Sequence, residues 1–240
     1  MGVDGVTMLG KKSAWKQAVP SADEIHYAKR RAVLREAATS FNRNGFHATT
    51  LDEVARRLGV TKAALYHYFP NKTALLKACF DEVMVGAFAN LESAKRKGRN
   101  GREKLRLVFG GYLHHIIDVL SVAVVVMEDS ALTEQERTEA YAVRDRFERA
   151  LRDLVEEGIA DGSIVPCDSK MVVLAMLGAV NWVPRWFRHD GEWSTYQLSQ
   201  AMSDLLERAI SPEPVAVLVR RIADITPRDV LPSTSDQVRQ

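Results

Sequence analysis

The sequence predicts an all-α fold of about nine helices, and three features of the chain support this prediction. Apolar residues recur at helical spacing through most of the 240 residues. The segments with this period open at Ser, Thr, Asp or Asn and close at Gly or Pro, which are the residues that begin and end helices. Alternation of apolar and polar residues, which would indicate a strand, is convincing nowhere, although residues 122–127 are rich in β-branched side chains.

The first 71 residues are predicted to form an arm and a three-helix module. Residues 1–20 contain glycine, end at Pro20 and are expected to be flexible, and residues 21–71 form the module. Glycine ends the first two helices and proline the third, while Thr50 and Glu53 have the spacing of a capping box at the start of the second. The predicted helices cover about 25–44, 51–58 and 61–69.

Residues 72–211 are predicted to form a larger helical domain, and residues 212–240 a proline-containing tail. A long helix that begins near Lys72 would join this domain to the N-terminal module. Thr133 to Glu136 and Ser194 to Gln197 are two further capping boxes. The helices predicted here cover about 72–97, 102–120, 122–127, 133–162, 169–188 and 195–210, with a kink at Pro184.

The composition excludes several classes of protein. Hydrophobic residues make up 46% of the chain and charged residues 27%, as in ordinary globular proteins. The longest stretch without a charge, 171–184, has 14 residues, whereas a membrane-spanning helix needs about 20 apolar residues. Cys79 and Cys167 lie far apart without C-x-x-C spacing, and no apolar run follows the N-terminal lysines. We therefore expect a cytoplasmic protein without disulfides.

Positive charge is concentrated in the N-terminal part of the chain. The segment from Lys11 to Lys72 contains twelve Lys and Arg residues against five Asp and Glu residues, although the net charge of the whole chain is only +2. This asymmetry is typical of a chain whose first module binds a polyanion such as nucleic acid. A solvated charged surface would give the same pattern.

The segment from Thr49 to Leu76 has the pattern of a helix-turn-helix, in which the second helix enters the major groove of DNA. The two short helices would meet at Gly59-Val60. Leu65 and Phe69 can pack inward from the second helix. Its other face consists of residues spaced by three and four, and their polar character suits a polar partner: Lys62, Ala63, Tyr66 and His67.

Two kinds of DNA contact are expected from this segment. Base reading is assigned to Lys62, Ala63 and His67, because lysine can donate to guanine and a methyl group can contact thymine. Phosphates would be bound at helix N-termini, where unpaired N–H groups favour an anion, and by tyrosine hydroxyls. Both tyrosines could instead be packing aromatics. The residues predicted to contact DNA are Thr49, Thr50, Thr61, Lys62, Ala63, Tyr66, His67, Tyr68 and Lys72.

This pattern resembles the DNA-binding domain of TetR-family transcriptional regulators. The resemblance implies a homodimeric, usually repressing regulator whose C-terminal helices bind a small effector. The arm of residues 1–20 is longer than in most members, which leaves open whether it adds DNA contacts. The positions that carry the resemblance are Ala37, Phe41, Gly45, Phe46, Thr49, Thr50, Val54, Ala55, Gly59, Val60, Thr61, Leu65, Tyr66, Tyr68, Phe69, Lys72, Leu75 and Leu76.

A dimer is required because one helix-turn-helix reads only a half-site. By analogy with the family, the helices predicted at 169–188 and 195–210 would form a four-helix bundle with the same helices of a second copy. Gly178 would permit close approach of the two backbones. The apolar faces of these helices could instead be buried against their own chain.

Residues 178–191 contain two tryptophans, an asparagine and two arginines near one helix end, which could line an apolar pocket that also binds anions. The segment resembles one in a TetR-family branch that responds to acyl-CoA thioesters of steroid and fatty-acid catabolism. This resemblance implies an acyl group inside and phosphates near Arg185 or Arg188, although tryptophan pairs are also common in cores. The predicted effector residues are Tyr112, His115, Trp182, Arg185, Trp186 and Arg188.

No catalytic or cofactor-binding motif is recognisable in the sequence. It lacks G-x-G-x-x-G, the Walker loop, G-x-S-x-G and H-E-x-x-H. His114 and His115 are adjacent and would point to different sides of a helix, so no metal site is expected there. We expect a DNA-binding regulator without cofactor or catalytic activity, with operator DNA, a second copy and a small hydrophobic or amphipathic effector as partners. The alternative is a helical small-molecule-binding protein or an enzyme that does not bind DNA.

Overall fold

The computed structural model describes residues 20–119 and 131–212, and the regular structure of these ranges is entirely helical. The predicted all-α fold is therefore confirmed. The helix predicted at 122–127, the arm up to residue 19 and the tail from residue 213 lie outside the described residues. The eight α-helices of the described ranges are α1 (Ala22–Asn44), α2 (Leu51–Leu58), α3 (Lys62–Tyr68), α4 (Lys72–Lys97), α5 (Gly101–His114), α6 (Glu134–Ala160), α7 (Ser169–Trp182) and α8 (Thr195–Ile210).

Each of these α-helices begins after a residue whose side chain caps it. The capping oxygen accepts a hydrogen bond from the backbone N–H three residues later, which satisfies one of the unpaired donors of the first turn. The predicted capping boxes at Thr133 and Ser194 are complete, and an unpredicted one begins α1 at Ser21. At Thr50 only the threonine half forms, because the Glu53 carboxylate accepts hydrogen bonds from Arg57 instead.

Two helix ends differ from the predictions. The helix predicted at 169–188 ends at Trp182, and Pro184 lies in a 3₁₀ turn, Val183–Arg185, instead of kinking a longer helix. Proline has no N–H to continue the helix, and its ring clashes with the carbonyl of the preceding turn. The helix predicted at 102–120 changes at His115 into a π-helical turn, His115–Val119.

The helices form two groups that share α4. In the N-terminal group, α1, α2 and α3 enclose a small core together with the first turns of α4. In the C-terminal group, α5 is central and packs against α4, α6, α7 and α8. The start of α5 approaches the end of α6 closely, because Gly101 and Gly158 both lack a side chain there. None of the described helices is long and apolar enough to cross a bilayer.

Candidate DNA interface and effector cavity

The α2 and α3 helices form a helix-turn-helix whose second helix has one buried and one exposed face. Gly59 ends α2 in the left-handed conformation with φ of 66°, which turns the chain toward α3. Leu65 is completely buried and anchors α3 against the other helices. The side chains of the opposite face are all exposed: Lys62, Ala63, Tyr66 and His67.

The exposed N-termini of α2 and α3 keep hydroxyl groups at the surface. Thr50 and Thr61 are exposed, and their oxygens accept hydrogen bonds from the backbone N–H groups of Glu53 and Ala64, each at 3.2 Å. A hydroxyl that accepts such a bond still has its own proton to donate. Both threonines can therefore cap their helices and donate to a phosphate at the same time.

Lys62 is held in place by a neighbouring carboxylate and a tyrosine ring. Its ammonium lies 2.8 Å from Oδ1 of Asp52 and 5.7 Å from the centre of the Tyr66 ring. The hydrogen bond and the charge of Asp52 raise the pKa of Lys62. Asp52 was not predicted as part of this surface, because its ten-residue separation from Lys62 is spanned by a turn and not by one helix.

Tyr68 belongs to an aromatic cluster that joins α3 to the start of α1. It is half-buried, and its ring centre lies 4.9 Å from that of His26 and 5.5 Å from that of His67. His26 was also absent from the predicted site, since a single histidine in the first turns of α1 carries no periodic signal. The cluster places His26 beside the exposed face of α3.

The structure corrects the predicted DNA contact of the Thr49 side chain. Thr49 is only 1% exposed, and its hydroxyl lies within hydrogen-bond distance of the carbonyl oxygens of Ser40 (3.1 Å) and Gly45 (2.8 Å). The side chain therefore fastens the segment between α1 and α2 to the end of α1. It positions Thr50, the next residue, without reaching the surface itself.

Lys72 needs the same correction for a different reason. Its ammonium donates to the carbonyl oxygens of Phe46 (2.8 Å), His47 (3.2 Å) and Thr49 (3.0 Å), and it lies 4.3 Å from the centre of the Phe46 ring. An ammonium has three N–H donors, so these carbonyls engage all of them. In this structure Lys72 holds residues 46–49 in place, and its three donors are directed at the protein's own carbonyl groups.

Described residues of α4, α5, α6 and α7 line a cavity of about 610 Å³. This volume is in the range of small-molecule sites. Its polar lining contains four cationic side chains and two anionic ones: Arg144, Arg149, Arg152, Lys170, Asp145 and Glu148. Its apolar lining is formed by Phe80, Val83, Met84, Tyr112, Phe147, Leu174 and Leu177.

One ion pair in the cavity wall has unused hydrogen-bonding groups. Arg152 Nη2 donates to Glu148 Oε2 at 2.9 Å. Within the described part of the chain, Nε of Arg152 and Oε1 of Glu148 are buried without a hydrogen-bond partner. Such groups destabilise a site unless a ligand, water or rearrangement satisfies them. The pair is therefore suited to reorganise around a polar ligand.

Of the residues predicted to bind an effector, Tyr112 lies in the wall of this cavity. It is buried, and its hydroxyl donates a hydrogen bond to Oδ1 of Asn181 at 3.2 Å. Burial raises the pKa of its phenol, so Tyr112 remains neutral. His115 lies elsewhere, with its ring against Gly86 of α4 and Nε2 3.4 Å from the carbonyl oxygen of Glu82.

The effector pocket predicted around Trp182, Arg185, Trp186 and Arg188 is corrected by the structure, since these side chains are exposed and do not line the 610 Å³ cavity. Trp186 and Arg188 border a separate hollow of about 180 Å³. The α7 residues that line the larger cavity follow helical spacing at 170, 174 and 177, and position 182 falls off that face.

The cationic wall of the cavity was not predicted from the sequence. The missed cations are Arg144, Arg149, Arg152 and Lys170, three of which lie on α6. A usable signal was present, because Arg144, Glu148 and Arg152 recur every four residues beside the apolar Phe147. The same spacing is common on solvated helix faces, so it does not identify a cavity by itself.

The α7 and α8 helices also expose an apolar face. Met171, Leu174 and Trp182 on α7 and Leu205 on α8 are between 47% and 65% exposed. Among the described residues, no atom from another part of the fold would lie within 4 Å of a Cβ at Gly178, so this part of α7 is open. Large apolar side chains exposed on two helices make these helices candidates for a protein–protein interface.

Two family models match the chain. Residues 33–79 match the model described as "Bacterial regulatory proteins, tetR family", and residues 98–210 match "Tetracyclin repressor-like, C-terminal domain". Together they cover both the helix-turn-helix and the domain that contains the cavity.

Curated relatives are similar over most of the chain. The HTH-type transcriptional repressor KstR2 of Mycolicibacterium smegmatis is 27% identical over 177 residues, which are 72% of this chain and 86% of the relative. The fatty acid metabolism regulator protein of Bacillus subtilis is 23% identical over 181 residues, which are 74% of this chain and 93% of the relative.

Solved structures show the same fold. The TetR family transcriptional regulator PfmR from Thermus thermophilus is 30% identical with a TM-score of 0.64, over 75% of this chain and 98% of that one. The structure of AibR in complex with isovaleryl coenzyme A and operator DNA is 26% identical with a TM-score of 0.63, over 77% of this chain and 98% of that one.

Proposed function

The chain belongs to the TetR family of transcriptional regulators, and we propose that it is a cytoplasmic, non-catalytic repressor that leaves its operator when an acyl-CoA thioester fills the cavity of the C-terminal domain. The observation that carries the effector proposal is the cavity itself, which combines an apolar lining with a surplus of cationic side chains. An amphipathic anion matches both parts of this lining.

The proposed DNA contacts follow from exposure. Lys62, Ala63, Tyr66 and His67 project from the face of α3 opposite its buried anchor, so we assign base reading to this face. The hydroxyls of Thr50, Thr61 and Tyr68 would contact phosphates and set the position of the helix on the duplex. Thr49 and Lys72 support these contacts indirectly by holding the segment before α2.

The proposed dimer uses the exposed apolar face of α7 and α8. Its residues are exposed in the described part of one copy, and a second copy would bury them in a four-helix bundle. The open surface at Gly178 allows the two α7 helices to approach closely. Two copies would then present two α3 helices to successive major grooves about 34–36 Å apart.

The proposed effector is an acyl thioester of coenzyme A. The apolar residues of α4, α5 and α7 would surround the acyl chain, and the arginines of α6 together with Lys170 would bind phosphate groups. The similarity to AibR supports this class of ligand, because that protein was solved with isovaleryl coenzyme A and operator DNA. The similarity to a fatty acid metabolism regulator supports an effector that is connected with fatty acids.

The α4 helix connects the two sites. Phe80, Val83 and Met84 line the cavity from its middle, while its first turn adjoins the helix-turn-helix. Arg31 of α1 forms an ion pair with Glu82 of α4 at 3.4 Å, which ties the N-terminal group to this helix. An effector that prefers a different tilt of α4 would change the separation of the two α3 helices. Its effect on operator affinity is limited to its differential affinity for the two conformers.

The proposal is tested by titrating the protein–operator complex with candidate effectors. An operator is first selected from random duplexes with the full-length protein, and binding is followed by fluorescence anisotropy. Acyl-CoA thioesters of increasing chain length are then compared with free coenzyme A and free fatty acids. We expect a thioester to weaken operator binding by about 5- to 150-fold, the usual range of allosteric coupling. Unchanged affinity with every thioester would contradict the effector proposal.

The Arg152→Gln variant locates the effector site within the same assay. It should require a higher thioester concentration for release while binding the operator as the unmodified protein does. Arg185→Gln is the matched control, because Arg185 lies outside the cavity. Chromatography of the thioester after incubation checks the non-catalytic role, since recovery of unhydrolysed thioester is expected and its turnover would favour an enzyme.

A further inference from the structure

We propose that Asp52 is a specificity-determining residue of the DNA interface, because it neutralises and directs Lys62 so that this lysine contributes to base reading and not to indiscriminate phosphate binding. The inference rests on the assignment of Lys62 to base reading under the proposed function. It adds an acidic residue to a surface whose other proposed contacts are neutral or cationic.

The geometry places the two residues on adjacent helices of the same exposed surface. Asp52 lies in the first turn of α2, and Lys62 is the first residue of α3. The ammonium approaches both carboxylate oxygens, at 2.8 Å and 3.0 Å, and the Tyr66 ring lies on another side of it. The two side chains are 62% and 57% exposed, so a duplex that contacts α3 meets both charges together.

An exposed ion pair of this kind contributes little to folding stability. Its main effect is on whether Lys62 contacts a phosphate or a base when DNA binds. If Lys62 moves to a phosphate, Asp52 is left unpaired beside the negative backbone, which opposes the move. A guanine edge carries no net charge, so Lys62 can donate to it while its other donors remain on Asp52, without the repulsion between the carboxylate and a phosphate. The pair therefore disfavours phosphate contacts more than base contacts.

The pair also removes one positive charge from the non-specific attraction to DNA. Each phosphate that a protein neutralises releases counterions and adds about 0.9 to the salt dependence of binding. A Lys62 released from Asp52 should add about one such contact. With a slope of about 0.9, the contribution of one such contact to non-specific affinity is about eightfold larger at 0.1 M salt than at 1 M salt.

The experiment compares full-length protein with its Asp52→Asn variant on the selected operator and on a scrambled duplex of equal length, at several salt concentrations. We expect the variant to bind the scrambled duplex up to about eightfold more tightly, with a salt slope steeper by about one. Operator affinity should rise less, so the ratio of specific to non-specific affinity falls. Asp52→Glu retains the charge and should retain most of the ratio.

Two controls separate this role from a general charge effect. Glu92→Gln removes a carboxylate that pairs with Lys95 near the far end of α4, and it should leave the ratio unchanged. In a Lys62→Met background, Asp52→Asn should no longer steepen the salt slope by one. Thermal unfolding followed by circular dichroism confirms that each variant is folded at the assay temperature.

The outcomes are distinguishable from failure of the proposed function. An equal change in operator and scrambled-duplex affinity for Asp52→Asn, or the same change in the Lys62→Met background, would overturn the role of Asp52. If Lys62→Met itself leaves operator affinity and base preference unchanged, the assignment of Lys62 to base reading fails instead. In either case effector release remains an independent result.

Discussion

The contact between Gly86 and His115 predicts opposite effects of one substitution on stability. Gly86→Ala should destabilise the protein when His115 is present and stabilise it when His115 is replaced by alanine. Gly86 lies in the middle of α4, and the ring of His115, the first residue of the π-helical turn, packs against it. A Cβ at position 86 would lie 2.1 Å from Nε2, 2.3 Å from Cε1 and 2.6 Å from Cδ2 of that ring. Ordinary contact distances are about 3.5–4.0 Å, so Gly86→Ala requires the ring or a helix to move.

Two opposing effects determine how much Gly86→Ala changes the free energy of unfolding. Replacing glycine by alanine inside a helix stabilises it by about 0.8–1.0 kcal/mol. Inserting a methyl group into an occupied contact costs about 1–3 kcal/mol. We therefore expect Gly86→Ala to lower the free energy of unfolding by about 0–2 kcal/mol in the unmodified protein. In a His115→Ala background the ring is absent, and the same substitution should raise it by up to about 1 kcal/mol.

The measurement is a double-mutant cycle by urea denaturation, with circular dichroism as the probe and a fixed protein concentration because a dimer is expected. The coupling between the two positions should be about 1–3 kcal/mol. If Gly86→Ala stabilises the protein equally in both backgrounds, the ring swings away freely. The close approach would then not constrain the packing of α4 against α5.

Four further predictions concern the DNA-binding module and the domain core. Tyr66→Ala should weaken operator binding by about 1–3 kcal/mol in an anisotropy assay without lowering the melting temperature, and unchanged affinity would remove Tyr66 from the interface. Lys72→Met should lower the free energy of unfolding by about 1–3 kcal/mol and also weaken operator binding, because three carbonyls lose their donor. If operator affinity falls while stability is unchanged, Lys72 contacts a phosphate directly. Gly101→Ala would place a Cβ 2.2 Å from the backbone nitrogen of Gly158, so we expect urea denaturation to show a loss above about 2 kcal/mol, and a neutral result would mean that the two helices separate easily. Burial lowers the pKa of His115 in the folded state. The free energy of unfolding should therefore fall as the pH drops through about 6.5, because the unfolded state takes up the proton first. The fall should be smaller for His115→Asn, and an identical pH profile would contradict this linkage.

The sequence by itself determined the helical fold, the starts of most helices and the two faces of the recognition helix. Caps are contacts between residues three positions apart, so Thr61 and Asn71 predict the starts of α3 and α4 without any knowledge of the fold. The exposed face of α3 could be assigned for the same reason, because helical spacing fixes which residues lie opposite Leu65. The motif positions between Ala37 and Leu76 were also sufficient for the resemblance to a regulator family.

The tertiary structure alone decided which polar groups are turned inward and where a ligand can fit. Lys72 follows a helix cap, and this position predicts a phosphate contact. Its partners in the structure are carbonyls of residues that precede it by 23 to 26 positions. Asp52 and Lys62 meet only because the turn at Gly59 folds α2 against α3. The cavity is bordered by four helices, and its cations on α6 have the spacing of a solvated surface. Hydrogen bonds and cavities between distant segments depend on how the helices pack against each other. The residue spacing within one helix does not predict that packing.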